Sequence, residues 1–136
     1  MIEAQRTPPA INERTKPFWT GGAEGELRIA RCRDCGLWLH PPLPTCRRCR
    51  SCDVGTQAAS GRGTVWSFTI NRQAISPGLE PPYVVAEVEL EEQAGLRLLT
   101  TLVDCEDVRI GMPVSVRFER AGDAWIPVFA PSAIAP

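Results

Sequence analysis

"CRDCGLWLHPPLPTCRRCRSC", residues 32–52, holds five of the six cysteines in the chain. Cys32 and Cys35 form one C-x-x-C, Cys46 and Cys49 form another, and ten residues separate the pairs. A C-x-x-C folds as a tight knuckle that turns two sulfurs toward one point, and two facing knuckles complete the tetrahedron that zinc prefers. The spacing therefore predicts a four-thiolate zinc ribbon holding one Zn2+ per chain. Gly36 supplies the permissive backbone needed after the first knuckle. A thioredoxin-type redox pair would open a helix inside a βαβ unit, and no such unit surrounds these residues.

Compartment bears on the same choice. The N-terminal MIEAQRTPPAINERTKPFW contains no apolar run of the length a secretory signal or a membrane span requires. The expectation is a cytoplasmic chain with no membrane partner, whose reduced thiols serve a metal rather than disulfides. Cys52 makes an overlapping C-x-x-C with Cys49 and stands as an alternative ligand. Pro42 and Pro44 read as the turn leading into a knuckle at Cys46 and favour the Cys46–Cys49 pair, although Arg50 stands where glycine would suit the second knuckle. Cys105, far from the cluster, reads as a small buried hydrophobe.

Four thiolates on one divalent ion leave a net charge of about minus two. Arg31, Arg33, Arg47, Arg48 and Arg50 lie close by in sequence. They can neutralise the cluster locally, or present an arginine surface to an acidic partner or to the phosphates of a nucleotide-like cofactor. Both readings stay open.

At 136 residues with a formal net charge of -1, the chain suits a small module fused to one compact domain, with no global field that would draw nucleic acid or an anionic membrane. Residues 1–25 divide into a mobile arm (1–15) and a short helical turn carrying Phe18 and Trp19, ended by the double glycine. This aromatic pair reads as a local core plug or as a contact for another subunit. Residues 26–60 form the rubredoxin-like ribbon, with ELRIAR as the strand into the first knuckle and LWLHPP as the return. Residues 61–136 are β throughout.

GTVWSFTINR, YVVAEVELE, LRLLTTLV, PVSVRFER and WIPVFA are rich in β-branched and aromatic residues and are separated by glycine, proline or acidic turns. In the second run Val84, Ala86, Val88 and Leu90 alternate with Tyr83, Val85, Glu87, Glu89 and Glu91, giving one apolar and one largely acidic face. Val114, Val116 and Phe118 are expected to point inward in the fourth. The class is mainly β: a short N-terminal helix and a zinc ribbon followed by a five-stranded barrel, for which the OB-fold is the commonest solution.

A ribbon joined to an OB-fold raises the alternative of a single-stranded nucleic-acid-binding module. OB-fold recognition needs aromatic and basic side chains on the second and third strands. Here the outward face of the second strand carries Glu87, Glu89 and Glu91, followed by Glu92. Catalysis by the chain itself also finds little support. His40 is the one histidine and reads as a surface or packing residue, and Asp104, Glu106 and Asp107 read as a solvated turn.

The order PFW, GELRIARCRDCG, PPLPTCRRC, GRGTVWSFTI, PPYVVAEVEL and VRIGMPVSVRF resembles the acyl-CoA-associated OB-fold family catalogued as domain of unknown function thirty-five. The resemblance runs from about Lys16 to the C-terminus, with Arg50, Cys52 and His40 as departures. It implies a helper subunit, free-standing or a domain of a longer protein. The expected partner is a thiolase-fold enzyme subunit, such as a lipid-transfer-protein-like thiolase or an aldolase that shortens steroid side chains. Acyl-CoA is then the substrate of the complex, with part of its channel lined by the helper and the catalytic residues in the partner. Phe18, Trp19, Arg47 and Arg48 are the expected partner-binding residues.

The acidic strand face generates a first prediction. Fluorescence anisotropy with labelled single-stranded DNA or RNA at physiological salt should show no binding at micromolar chain concentration, whereas micromolar affinity with a steep salt slope would restore the nucleic-acid alternative.

Overall fold

The computed structural model describes residues 6–74 and 77–132. A short helix, α1 (Lys16–Thr20), leads into a 3-10 turn (Gly21–Glu24). Three strands, β1 (Leu27–Cys32), β2 (Trp38–Leu39) and β3 (Val54–Ala59), form a small antiparallel sheet in the order β2-β1-β3. Five more strands, β4 (Arg62–Asn71), β5 (Tyr83–Leu90), β6 (Arg97–Leu102), β7 (Pro113–Ala121) and β8 (Ala124–Pro131), close into a barrel in the order β4-β5-β6-β8-β7. The β6–β8 contact is parallel and the other pairings are antiparallel, giving a mainly β chain with a five-stranded OB-fold barrel.

Alternation builds the barrel. Ala86, Val88 and Leu90 of β5 are buried, as are Leu98 and Leu102 of β6 and Val114 of β7, while Glu87, Glu89 and Leu99 face outward. Residues opposite one another in a sheet share a face, so the pairs Val65↔Val88 and Val88↔Leu98 stack one layer of the core. On β7, Val116 and Phe118 are partly buried and pack against that core.

The ribbon and the barrel share one core. Leu27, Ile29 and Trp38 cluster with Phe18 and with Val88, Leu90, Leu96 and Phe129. A polar clamp fixes the joint: the Trp38 N–H donates to Gln93 Oε1 (3.0 Å), and Gln93 Nε2 donates to the Trp38 carbonyl (3.1 Å). The Gln93 side chain thus pairs with Trp38 as a neighbouring strand would. This satisfies both backbone groups of Trp38, whose two-residue strand pairs, among the described residues, with β1 alone.

Three features depart from the sequence reading. The double glycine does not end the helical path. Gly21 and Gly22 carry it through the 3-10 turn, and the stop comes at Gly25 in the left-handed conformation (φ 73°). Gly22 is required for close approach, since a methyl group there would lie 2.5 Å from the Phe118 ring and 2.6 Å from Trp125 Cβ. Secondly, β3 (VGTQAA) has no apolar alternation to announce it; backbone pairing along all six residues of β1 makes it a strand. Thirdly, the described part of the N-terminal arm lies on the barrel, with Arg6 paired to Glu119 at 3.4 Å and Pro8 against Gly122. Residues 1–5 of the arm lie outside the described residues.

Phe18 is only 8% exposed. It packs edge-on against Trp19 at 4.8 Å and tilted over His40 at 5.0 Å. Burial pushes the His40 imidazole down to about 4 from its ordinary 6.5, so the ring is neutral and serves packing.

Two consequences are measurable by urea unfolding. Gly22→Ala should cost about 1–3 kcal/mol through overpacking against Phe118 and Trp125. Below pH ~6.5 the unfolded chain takes up a proton at His40 before the folded one does, so stability present above that pH is lost as pH falls toward about 4. The loss should be on the order of 3 kcal/mol, and His40→Phe should remove that share of the slope.

Candidate metal centre

The two knuckles are built alike. β1 delivers Cys32 at its last residue, and the chain turns back so that the Cys32 carbonyl accepts the Gly36 N–H at 2.9 Å. In the second knuckle the Cys46 carbonyl accepts the Arg50 N–H, also at 2.9 Å. Both turns need a positive φ at the residue after the second cysteine: Gly36 has 81° and Arg50 has 66°. Arg50 therefore takes up the glycine-like conformation itself, at a cost of about 1–2 kcal/mol. Further backbone bonds fix the frame, from Cys32 N–H to Leu37, Arg33 N–H to Asp53 and Cys46 N–H to Ser51, each 2.9 Å.

The result is convergence of four sulfurs. Cys32, Cys35, Cys46 and Cys49 place their Sγ atoms within 4.8 Å of one another. Cys32 lies 3.5 Å from Cys49 and Cys35 lies 3.6 Å from Cys46. A tetrahedron with Zn–S bonds of about 2.3 Å has edges of roughly 3.8 Å, so the set fits one zinc ion. Cys52 stands outside it, exposed, with its sulfur 3.9 Å from Thr45 Oγ1. Cys105 is half-buried against the barrel core.

Sulfur electrostatics agree with a cation site. The Cys35 thiol is drawn down to about 6, chiefly by the backbone N–H of Leu37 and further by Arg48. The N–H of Cys49 lowers Cys46. At Cys49 the Ser51 N–H also acts to lower the value, but desolvation and the neighbouring sulfurs outweigh it and push the thiol up to about 12. Metal ligation requires thiolates, so a divalent cation bound by these four sulfurs would displace the protons they carry.

The arginines divide by role. Arg48 donates to the Cys35 carbonyl at 3.0 Å and is held more strongly protonated by Cys35. Arg31 donates to the Gly36 carbonyl at 2.9 Å and lies over the Trp38 ring at 4.6 Å. Arg33 pairs with Asp53 at 2.9 Å. Arg47 and Arg50 are exposed. Of the expected contact residues, Phe18 is inside the core, Trp19 is half-buried beside Ala121, Ile126 and Val128, and Arg47 and Arg48 face solvent on the second knuckle. The structure does not bring Phe18 and Trp19 together with the two arginines in any described contact. Among the described residues no helix is long and apolar enough to cross a membrane.

Comparison with known proteins places this geometry. Two family models match the chain in tandem: the rubredoxin-like zinc ribbon domain of ChsH2 over residues 19–54 and the C-terminal OB-fold domain of ChsH2 over residues 56–119. A probable enoyl-CoA hydratase alpha subunit of Thermomonospora curvata is 42% identical over 96% of this chain and 41% of its own length. The 3-oxo-4,17-pregnadiene-20-carboxyl-CoA hydratase alpha subunit of Mycobacterium tuberculosis is 40% identical over 88% of this chain and 39% of its own. The chain thus spans about two fifths of the length of these curated relatives. Among solved structures, a chain of the Ltp2-ChsH2(DUF35) aldolase superposes with a TM-score of 0.78 at 42% identity, covering 90% of this chain and 98% of that one.

The centre predicts a ligand-specific pattern of metal loss. After dialysis against a mild chelator, elemental analysis should find about one zinc per wild-type chain and per Cys52→Ser chain, and well under half of that for Cys35→Ser or Cys46→Ser. Retention by Cys46→Ser with loss in Cys52→Ser would reverse the choice of second knuckle.

Proposed function

The chain belongs to the ChsH2 (DUF35) family of zinc-ribbon and OB-fold proteins, and from that premise we propose that it is a non-catalytic accessory subunit of a thiolase-fold acyl-CoA enzyme, a retro-aldolase of the lipid-transfer-protein-like thiolase type. The single observation that carries the reading is the match over 98% of a chain that was solved as part of an aldolase. Acyl-CoA is the substrate of the complex, and the relative whose name specifies a pregnadiene carboxyl-CoA points to steroid side chains as its acyl group. The reaction's acid-base groups lie in the partner. In this chain the one imidazole is neutral and engaged with Phe18, and Cys105 packs against the core.

Cys32, Cys35, Cys46 and Cys49 hold one Zn2+ in this reading. Bound there, the ion supplies a cross-link between the two knuckles and no reactive position, since all four of its sites are filled by sulfur. The chain's own residues do the rest: Gly36 and Arg50 close the knuckles, Arg48 offsets their charge, and Gln93 sets the ribbon on the barrel. Partner contact falls to Trp19, Arg47 and the outer edge of Arg48, with buried Phe18 supporting Trp19 from behind.

The test uses the Ltp2 subunit of the solved aldolase as the probe. Mixed with it, the chain should co-elute on size exclusion through an interface of standard size and should restore acyl-CoA cleavage, while the chain alone shows none. Arg47→Glu should weaken association by about 3–10-fold at low salt and less at high salt. Full activity of Ltp2 without any ChsH2-type chain, or turnover by this chain alone, would overturn the proposal.

A further inference from the structure

Strand β4 is paired on both sides only over its first half. Arg62, Gly63 and Thr64 pair with β7, and Val65 exchanges backbone bonds with Met112 and Gly111. Trp66 is the unpaired bulge residue, and from Ser67 to Asn71 the strand is bonded to β5 on one side and, among the described residues, to no strand on the other. Exposed sheet edges are ordinarily protected by charged residues, proline, short length or a bulge. This one reads WSFTIN and, past the bulge at Trp66, carries neither charge nor proline. The other long edge, β3, exposes Gln57 and Ala58 and keeps its aliphatic residues small.

Large apolar side chains are concentrated along the same edge. Trp66 is 46% exposed, Phe68 36% and Ile70 39%; Ile110, one residue from the bonded Gly111, is 69% exposed. A bulge between Val65 and Ser67 turns Trp66 onto the outer face, where the Arg97 guanidinium lies 3.8 Å above its ring. Phe68 and Ile70 share the opposite face with Ala86 and Val84. An added strand would therefore meet a ring on each side of the sheet as well as the free backbone groups. That combination serves β-strand addition, in which main-chain bonds give affinity and side-chain pockets give register.

We propose that the free edge of β4, Trp66 to Asn71, is the docking line for an extended, uncharged, apolar segment of the enzyme subunit with which the chain assembles. The inference rests on the accessory-subunit reading and names the surface it uses. The WSFTIN stretch itself carries no charge, and the neighbouring Arg97 guanidinium is already engaged by the Trp66 ring and by Glu89 at 3.9 Å, so an apolar segment is the one that covers this edge without stranding a charge. Its apolar exposure, on the order of a few hundred Å2, falls short of the ~800 Å2 that each partner contributes to a stable interface. The edge is thus one part of a larger contact made by a bigger partner, rather than a self-sufficient seam between two copies of this chain.

The Ltp2 subunit again serves as probe, with zinc-loaded wild type, Thr69→Lys and Ile70→Lys. Thr69 is exposed, so a lysine there tests the edge without disturbing the core. Support is a loss of affinity of at least about tenfold in both variants, with amides within 66–71 exchanging more slowly in the wild-type complex than in the free chain. The exchange measurement decides alone if either variant fails to fold. Normal binding by both variants with unchanged exchange at 66–71 overturns the edge proposal and leaves the subunit reading intact. Absence of wild-type binding defeats both. A concentration-dependent wild-type dimer that Thr69→Lys dissociates would assign the edge to a second copy, and protection of these amides by a single-stranded oligonucleotide would assign it to nucleic acid; either result overturns the proposal.

Discussion

Leu27, Ile29 and Trp38 belong to the ribbon by sequence and to the barrel by packing. The rest of the molecule depends on that double membership. The ribbon's own cluster of Ala30, Cys32, Leu37, Leu39 and Cys46 is small and includes two residues whose sulfurs point at the metal site. Such a cluster is too small to order a module by hydrophobic burial alone. The barrel supplies the missing apolar contacts from below, and β1 transmits them: its first residues are pinned in the shared core while its last, Cys32, stands at the cluster. Alternate residues of one strand thus couple a metal centre to a β-barrel.

Metal and barrel divide the work. Structural zinc contributes on the order of 10 kcal/mol to the folding of sites of this type, enough to order the second knuckle, most of whose residues are exposed. The first knuckle has a second source of order in β1 and in the Gln93 clamp. Loss of zinc would therefore loosen Cys46 to Asp53 more than Cys32 to Leu39, and the arginines on the second knuckle would lose their fixed positions first.

Much of this was legible in the sequence because it obeys fixed periods. Two C-x-x-C pairs announced the ribbon, and the alternation through Val84–Leu90 announced a half-buried strand. What escaped has physical reasons. Val54–Ala59 becomes a strand through backbone pairing, which leaves no side-chain signature. Arg50 adopts a left-handed turn against its type, so the second knuckle looked less regular than its hydrogen bonds make it. Gly21 and Gly22 spell a stop in the sequence, whereas Gly22 answers to Phe118 and Trp125, roughly a hundred residues away and invisible to local pattern. Gln93, an ordinary loop residue in the sequence, is the polar joint between the modules. The exposed aromatics Trp66 and Phe68 are the least legible, since an exposed aromatic in a strand has the same spelling as a buried one.

The bulge at Trp66 has a consequence in parity. Upstream of it odd-numbered residues of β4 face inward, as Gly63 and Val65 do. Downstream the even-numbered ones share the face of Val84 and Ala86, as Phe68 and Ile70 do. One extra residue reverses the reading frame of the strand. Without it Ser67 and Thr69 would be turned toward the core side and the two large apolar side chains toward water. The insertion of a single residue is therefore what lets a strand closed into a barrel at one end carry a greasy, open rim at the other without a polar residue being trapped between them.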